Sequence, residues 1–345
     1  MMRLVCVKSR LSLFLCVFWK EGYIMFLEII LIIIGFILLI KGADYLVEGS
    51  SNIAKKFHIP EIIIGLTIVS IGTSMPELFV SITSALEGYS DMAIGNVIGS
   101  NVCNLLLILG LSAVIRPVRF QRETRLIEIP MCLIFTFIFM FFCNSSGGIS
   151  RVEACILLLL FIGFIIYTII MGLKGEAFDQ EAEEKGKKNK KVVVKTSMVK
   201  NIIYVLVGIV ALKFGGDFVV DNAVSIANRF NISEKIISLT ILAIGTSLPE
   251  LVTSVTAAFK GNSDIAIGNI IGSNIFNMLF IIGISALIQP IVYNLTYNID
   301  MLVLILGTMI LFLFPIIPPK NEMCRKNGIV YLGLYVLYLI ILFII

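Results

Sequence analysis

The chain has 345 residues; 58% are hydrophobic, only 14% are charged, and the formal net charge is +4. A soluble protein carries about 25% charged residues. With a mean hydropathy of +1.02, the composition excludes a water-soluble enzyme or nucleic-acid-binding domain and describes an all-α polytopic membrane protein.

Residues 1–24 hold Arg3, Lys8, Arg10 and a short apolar run, Leu11–Trp19, too short to span a bilayer. They read as an N-terminal extension outside the fold, resembling either a poor signal peptide or the product of an upstream start codon, with Met25 as the natural start. Ten apolar segments of roughly spanning length follow, at 26–56, 60–86, 91–114, 126–143, 152–172, 199–228, 233–259, 264–287, 299–317 and 328–345. Residues 25–173 therefore form a first five-helix unit, 174–198 a polar linker and 199–345 a second unit. Seven Cys lie mostly in apolar runs without ligand spacing and read as small buried residues. The single His, His58, sits at the end of a span and reads as a surface residue.

Lys/Arg-rich loops face the cytoplasm. One side carries Lys55, Lys56, Arg116, Arg119, Arg122, Arg125, Lys260, Lys320, Arg325, Lys326 and the basic 174–200 stretch; the other has only Arg151, Arg229 and Lys235. The linker is thus expected inside and both ends of the ten-span unit outside.

The spans 60–117 and 233–290 align at a constant offset of 173 residues, with 35 of 58 positions identical. The chain is an internal duplication. Each half has an odd number of spans, so the copies enter the membrane from opposite sides: two inverted-topology five-helix repeats, an arrangement typical of secondary transporters with a midplane site.

The first copy contains GTSMPE (Gly72–Glu77) and GNVIGSNVCN (Gly95–Asn104); the second contains GTSLPE (Gly245–Glu250) and GNIIGSNIFN (Gly268–Asn277). A Pro inside a helix removes a donor and kinks it, and freed carbonyls at membrane depth are tolerated only where they line a cavity. Carbonyls around Ser70–Thr73 and Ala243–Thr246, the hydroxyls of Thr73, Ser74 and Ser247, and the carboxylates of Glu77 and Glu250 then make an oxygen-only cluster. Such a cluster suits hard cations and offers nothing to soft metals. Ser100, Asn101 and Asn104, with Ser273, Asn274 and Asn277, are placed to point at the preceding Glu. Either a Pro kink or a GxxxG pair alone is ordinary helix packing; an intramembrane Glu repeated in an inverted copy is a functional site. Two converging carboxylates need compensation, which one Ca²⁺ or two Na⁺ provide equally, and that equivalence is the physical basis of exchange.

At these motifs the sequence resembles the sodium/calcium exchanger family, in its short ten-span prokaryotic form, from Met25 onward. The resemblance implies an antiporter exchanging Na⁺ for Ca²⁺ by alternating access, with the first and sixth helices sliding across the other eight. It implies that Glu77 and Glu250 are shared by both ions and that the carbonyls of Thr73 and Thr246 complete the Ca²⁺ site. Ser74, Ser247, Ser100 and Ser273, with the carbonyls of Ser70 and Ala243, would serve Na⁺, and Asn104 matches the family's central amide. The matching position of the second repeat is often Asp and is Asn277 here, one titratable group fewer. The expectation is therefore a multi-pass antiporter of the cytoplasmic membrane, not an enzyme, without cofactor or nucleic-acid partner. Ca²⁺ and Na⁺ are its substrates, and one chain suffices because it contains the whole site. Rival readings are Ca²⁺/H⁺ exchange on the same fold, since buried carboxyls also carry protons, and a cation channel or ion sensor.

Overall fold

The structure is a computed structural model that describes residues 2–57, 59–145, 147–184, 197–230, 243–315 and 322–344. A continuous helix runs Met2–Lys56, so helix extends back through the segment expected to lie outside the fold; its apolar part, Ile24–Lys56, is α1. Then follow α2 (Glu61–Thr73), α3 (Met75–Leu86), α4 (Ser90–Ile115) and α5 (Thr124–Ser145), α6 (Arg151–Glu184) and α7 (Met198–Arg229). The second half continues with α8 (Ala243–Thr246), α9 (Leu248–Lys260), α10 (Ser263–Ile288), α11 (Asn298–Leu313) and α12 (Arg325–Ile344).

Among the described residues, eight helices are long and apolar enough to cross a membrane, and the bent pair α2–α3 makes a ninth. Part of the expected seventh span, 233–242, lies outside the described residues, as do most of the linker and His58. α6 continues to Glu184, into the segment read as linker. Cys103, Cys132 and Cys143 are buried as expected, whereas Cys155 is exposed on α6 and Cys324 half-buried.

The duplication is visible as a two-fold relation. Helix α1 packs lengthwise on its own repeat-equivalent, α7. Backbones approach closely where Gly35 meets Gly215, Gly42 meets Gly208 and Gly49 meets Asn201. Residue numbers rise on one helix as they fall on the other, so equivalent helices are antiparallel and the repeats are inverted. A side chain at Gly208 would lie 2.8 Å from the Gly42 carbonyl oxygen, which is why small residues recur here. The pair is clamped at both ends. Glu28 accepts from Ser225 Oγ at 2.6 Å and pairs with Arg229 Nη2 at 2.7 Å. At the other end Asn52 Nδ2 donates to Asn201 Oδ1 at 3.4 Å.

The same two-fold orders the loops. Two-residue strands β1 (Val118–Arg119) and β4 (Glu322–Met323) pair antiparallel, and β2 (Gly148–Ile149) pairs with β3 (Ile291–Val292). β1 and β3 are equivalent at offset 173 and β2 and β4 at offset 174, so the same pairing is made twice. The central helices α4 and α10 are buried over most of their length, with Val97, Ile98, Ile270 and Ile271 in one apolar core. α1 instead exposes Phe26, Ile33, Ile37 and Ile40 to the lipid side.

We predict that Gly208→Leu, which overpacks the α1–α7 contact, destabilises the protein by about 1–3 kcal/mol, read as a lower melting temperature in detergent; an unchanged melting curve would contradict the close approach.

Candidate ion-binding site

Each repeat breaks its second span at the motif. After α2 the chain turns at Ser74 (φ −84°, ψ 12°), and α3 leaves at 49° to α2. Ser247 repeats the break with φ −87° and ψ 8° between α8 and α9. Pro76 and Pro249 fall in the first turn of the helix that follows, where a missing N–H costs nothing. Glu77 and Glu250 therefore start new helices at the depth of the break.

Both carboxylates are fully buried, and each is held from the opposite repeat. Ser74 Oγ donates to Glu250 Oε1 at 2.7 Å, and Ser247 Oγ donates to Glu77 Oε1 at 3.3 Å. Ser100 Oγ on α4 reaches Glu77 Oε1 at 3.4 Å, and Ser273 and Thr73 lie beside Glu250. Ser100 and Thr246 hydroxyls approach to 3.5 Å. Ser273 Oγ also reaches the Ser70 carbonyl at 3.5 Å, while the Ser70 hydroxyl itself turns back to Leu66 O at 2.9 Å. Ala243 opens α8, the position equivalent to Ser70.

Four buried oxygens at this level have no hydrogen-bond partner: Glu77 Oε2, Glu250 Oε2, Asn104 Oδ1 and Asn277 Oδ1. Among the described residues no three His, Cys, Asp or Glu side chains are grouped. The donor set is thus two carboxylates surrounded by neutral hydroxyl, amide and carbonyl oxygens. It fits a hard cation.

Two residue pairs depart from the sequence reading. Asn101 and Asn274 do not point at the carboxylates; each donates to the other's backbone, Asn101 Nδ2 to Asn274 O at 3.2 Å and Asn274 Nδ2 to Asn101 O at 3.3 Å. The reason is helical spacing: Ser100 and Asn104 share a face, and Asn101 is turned about 100° away toward the two-fold axis. Unanticipated are Asn96 and Asn269. Asn269 Oδ1 accepts from Thr73 Oγ1 at 3.0 Å, and its Nδ2 donates to Ser254 Oγ at 2.9 Å. Asn96 Nδ2 donates to Ser81 Oγ at 3.0 Å and Asn96 Oδ1 accepts from Thr246 Oγ1 at 3.5 Å. The available signal was Ser81 and Ser254, each one turn after its Glu, facing the Asn of each GN pair.

The sequence profile of the family described as sodium/calcium exchanger protein matches residues 27–170 and 200–344. The chain belongs to the sodium/calcium exchanger family. This exchanger is 34% identical to the putative antiporter CaxA of Alkalimonas amylolytica over 322 residues, 92% of this chain and 99% of that protein. It is 31% identical to the sodium/calcium exchanger MaX1 of Methanosarcina acetivorans, over 91% of this chain and 98% of the relative. A solved structure of the sodium-calcium exchanger NCX_Mj, soaked with zero Na⁺ and Ca²⁺, matches with a TM-score of 0.78 at 31% identity, covering 92% of this chain and 99% of that one. The fold is the all-α, ten-span inverted-repeat architecture that the duplication implied, and the family is one of membrane transporters rather than catalysts.

Glu77→Gln and Glu250→Gln keep size and shape but remove the charge. Each is predicted to lower Ca²⁺ affinity by at least about 100-fold, or about 2.7 kcal/mol, without unfolding the protein. Titration of Ca²⁺-dependent thermal stabilisation checks this, and near-normal titration of either variant would refute a shared site.

Proposed function

We propose that the chain is a Na⁺/Ca²⁺ antiporter of the cytoplasmic membrane, working by alternating access at one midplane site. The observation that carries this reading is the reciprocal clamp: each intramembrane Glu is buried against a Ser from the opposite repeat. A cation bound there touches both halves at once, so its presence and their relative position are coupled. Glu77 and Glu250 serve both ions, and the Thr73 and Thr246 carbonyls complete the Ca²⁺ shell. Ser74, Ser247, Ser100, Ser273, the carbonyls of Ser70 and Ala243, and the amides of Asn104 and Asn277 flank it for Na⁺. Empty, the site holds two buried negative charges, which disfavours reorientation without cargo. The Lys/Arg-rich loops place 174–198 inside and both ends of the ten-span unit outside, and a single chain suffices.

The clamped pair α1–α7 is the natural moving unit, because it departs from the two-fold that the core obeys. A side chain on Gly72 would meet Ile209 of α7 at 2.8 Å, and one on Gly245 would also meet α7, at Val220. Under strict symmetry Gly245 would instead meet Phe36 of α1, the repeat-equivalent of Ile209. One end of the slider is latched: Lys260 Nζ lies 2.8 Å from Asp44 Oδ1 and 3.2 Å from the Asp44 carbonyl. The equivalent positions, Glu87 and Asp217, are both acidic and cannot pair, and Asp217 is held by Lys213 on its own helix at 2.7 Å. The latch lies on the side assigned to the cytoplasm and must part before the site opens inward.

Ca²⁺/H⁺ exchange is the second reading, favoured by the one orphaned oxygen on each buried Glu. Radiolabelled Ca²⁺ uptake into Na⁺-loaded proteoliposomes diluted into Na⁺-free buffer separates the two. Uptake is expected with internal Na⁺ and not with internal K⁺ or acid alone; equal uptake with internal acid would move the protein to proton exchange. Na⁺-driven uptake is also expected to fall between about pH 8 and about pH 5.5, as protons compete with Ca²⁺ for the carboxylates. Indifference to pH would count against titratable ligands.

A half-exposed ion pair contributes about 0.2–1 kcal/mol. Lys260→Gln is therefore expected to raise the inward-facing population by up to about fivefold and to lower the half-saturating cytoplasmic Ca²⁺ concentration by the same factor. The external value should hardly change; equal shifts on both faces, measured in vesicles of each sidedness, would contradict the latch.

A further inference from the structure

Resting on the reading that this site binds Ca²⁺, we propose that Asn101 and Asn274 are positioning residues that hold the Asn104 and Asn277 amides oxygen-inward, so that each presents a fixed neutral acceptor to the ion.

The polarity of the network follows from its first link. A backbone carbonyl only accepts. Asn101 and Asn274 each face the other's backbone carbonyl, at 3.2 and 3.3 Å, so each must turn its amide nitrogen there. Their own Oδ1 atoms are then directed the other way, and an Oδ1 also only accepts. Asn104 Nδ2 donates to Asn274 Oδ1 at 3.2 Å, and Asn277 Nδ2 donates to Asn101 Oδ1 at 3.0 Å. A flip of Asn104 or Asn277 would set oxygen against oxygen.

What remains is one oxygen on each of these two side chains, buried and without a partner. Asn104 lies one turn after Ser100, on the face whose hydroxyl reaches Glu77. Asn277 stands in the same relation to Ser273, a neighbour of Glu250. The two orphaned amide oxygens thus lie on the ion-facing side, with the two orphaned carboxylate oxygens. A π-helical turn begins just after the paired amides in each copy, at Cys103–Ile108 and Phe276–Ile281. Such turns reset the phase of the residues they contain.

Only an amide satisfies positions 101 and 274. Asp lacks the donor for the facing carbonyl, and Leu lacks both functions. The pairing also joins the repeats on their two-fold axis, so one contact sets ligand orientation in both halves. The consequence for function is a site whose formal charge stays at that of Glu77 and Glu250 alone, matched by one Ca²⁺ or two Na⁺, while its flanking amides cannot rotate a donor toward a cation.

The test is a double-mutant cycle on the purified full-length protein, read by equilibrium dialysis of radiolabelled Ca²⁺ without any Na⁺ gradient. Asn101→Leu is expected to weaken Ca²⁺ binding about tenfold, because the Asn277 amide is freed to rotate. In an Asn277→Asp background both side-chain atoms at the ligand position are oxygens, one of them set against Asn101 Oδ1, so rotation brings no donor to the ion and Asn101→Leu also removes the oxygen–oxygen contact. There Asn101→Leu is expected to cost no more than about twofold. An equal loss in both backgrounds would mean that Asn101 acts through packing alone and would overturn the proposal, as would wild-type affinity in Asn101→Leu. If Asn101→Leu does not fold, Asn274→Leu with Asn104→Asp poses the same question in the other repeat. Absence of saturable Ca²⁺ binding by the wild type would remove the ion-site reading itself, and this proposal with it; a background-independent loss overturns the proposal alone.

Discussion

Two carboxylates buried within reach of one another's repeat are the constraint on which the rest depends. Neither Glu77 nor Glu250 has a basic partner among the described ion pairs; what each has is a hydroxyl from the opposite half. Hydroxyls orient a carboxylate without neutralising it. Burial of an uncompensated charge is costly, so the two carboxylates call for compensation by protons or cations. A basic residue at the break would relieve the charge permanently and, on the proposed function, leave nothing to exchange.

The surrounding structure divides into parts that preserve the two-fold and a part that departs from it. The core helices repeat their contacts in detail: the break at Ser74 and at Ser247, the amide pairs, and the short strands between loops all occur twice with the partners exchanged. The α1–α7 pair is internally two-fold, yet it is displaced against the core: the Gly72 and Gly245 turns both meet α7, while α9 packs mainly on α1. Under the proposed alternating access, a displaced unit in an otherwise symmetric frame has a second arrangement related by the same axis. The asymmetric distribution of Asp44, Lys260, Glu87 and Asp217 would then make the two arrangements unequal in energy.

The same symmetry explains how neutral side chains come to be held so firmly. Asn101 and Asn274 meet on the axis, where each copy supplies a donor and an acceptor, and a self-complementary contact needs only one residue type to be right. Asn96 and Asn269 tie Thr73 and Thr246 to the opposite repeat. The kinked segments are therefore positioned by polar contacts from the other half as well as by hydrogen bonds within their own helices, such as Ser74 N to Ser70 O.

Much of this protein was legible in one dimension. Membrane residence, the duplication, inversion through an odd span count and the identity of the two Glu all follow from composition and an offset of 173, because hydrophobic length, repetition and an acid in an apolar run are local properties. The direction of an amide is not. Ser100, Asn101 and Asn104 read alike as polar residues near a carboxylate, and only packing separated Ser100, which reaches Glu77, from Asn101, which reaches Asn274. The short strand pairs, the return of helix into residues expected to be linker or extension, and the ion pair between Lys260 and Asp44 were likewise decided in three dimensions. Each depends on segments far apart in the chain, whose contact is set by how the two inverted halves pack and not by any pattern within either.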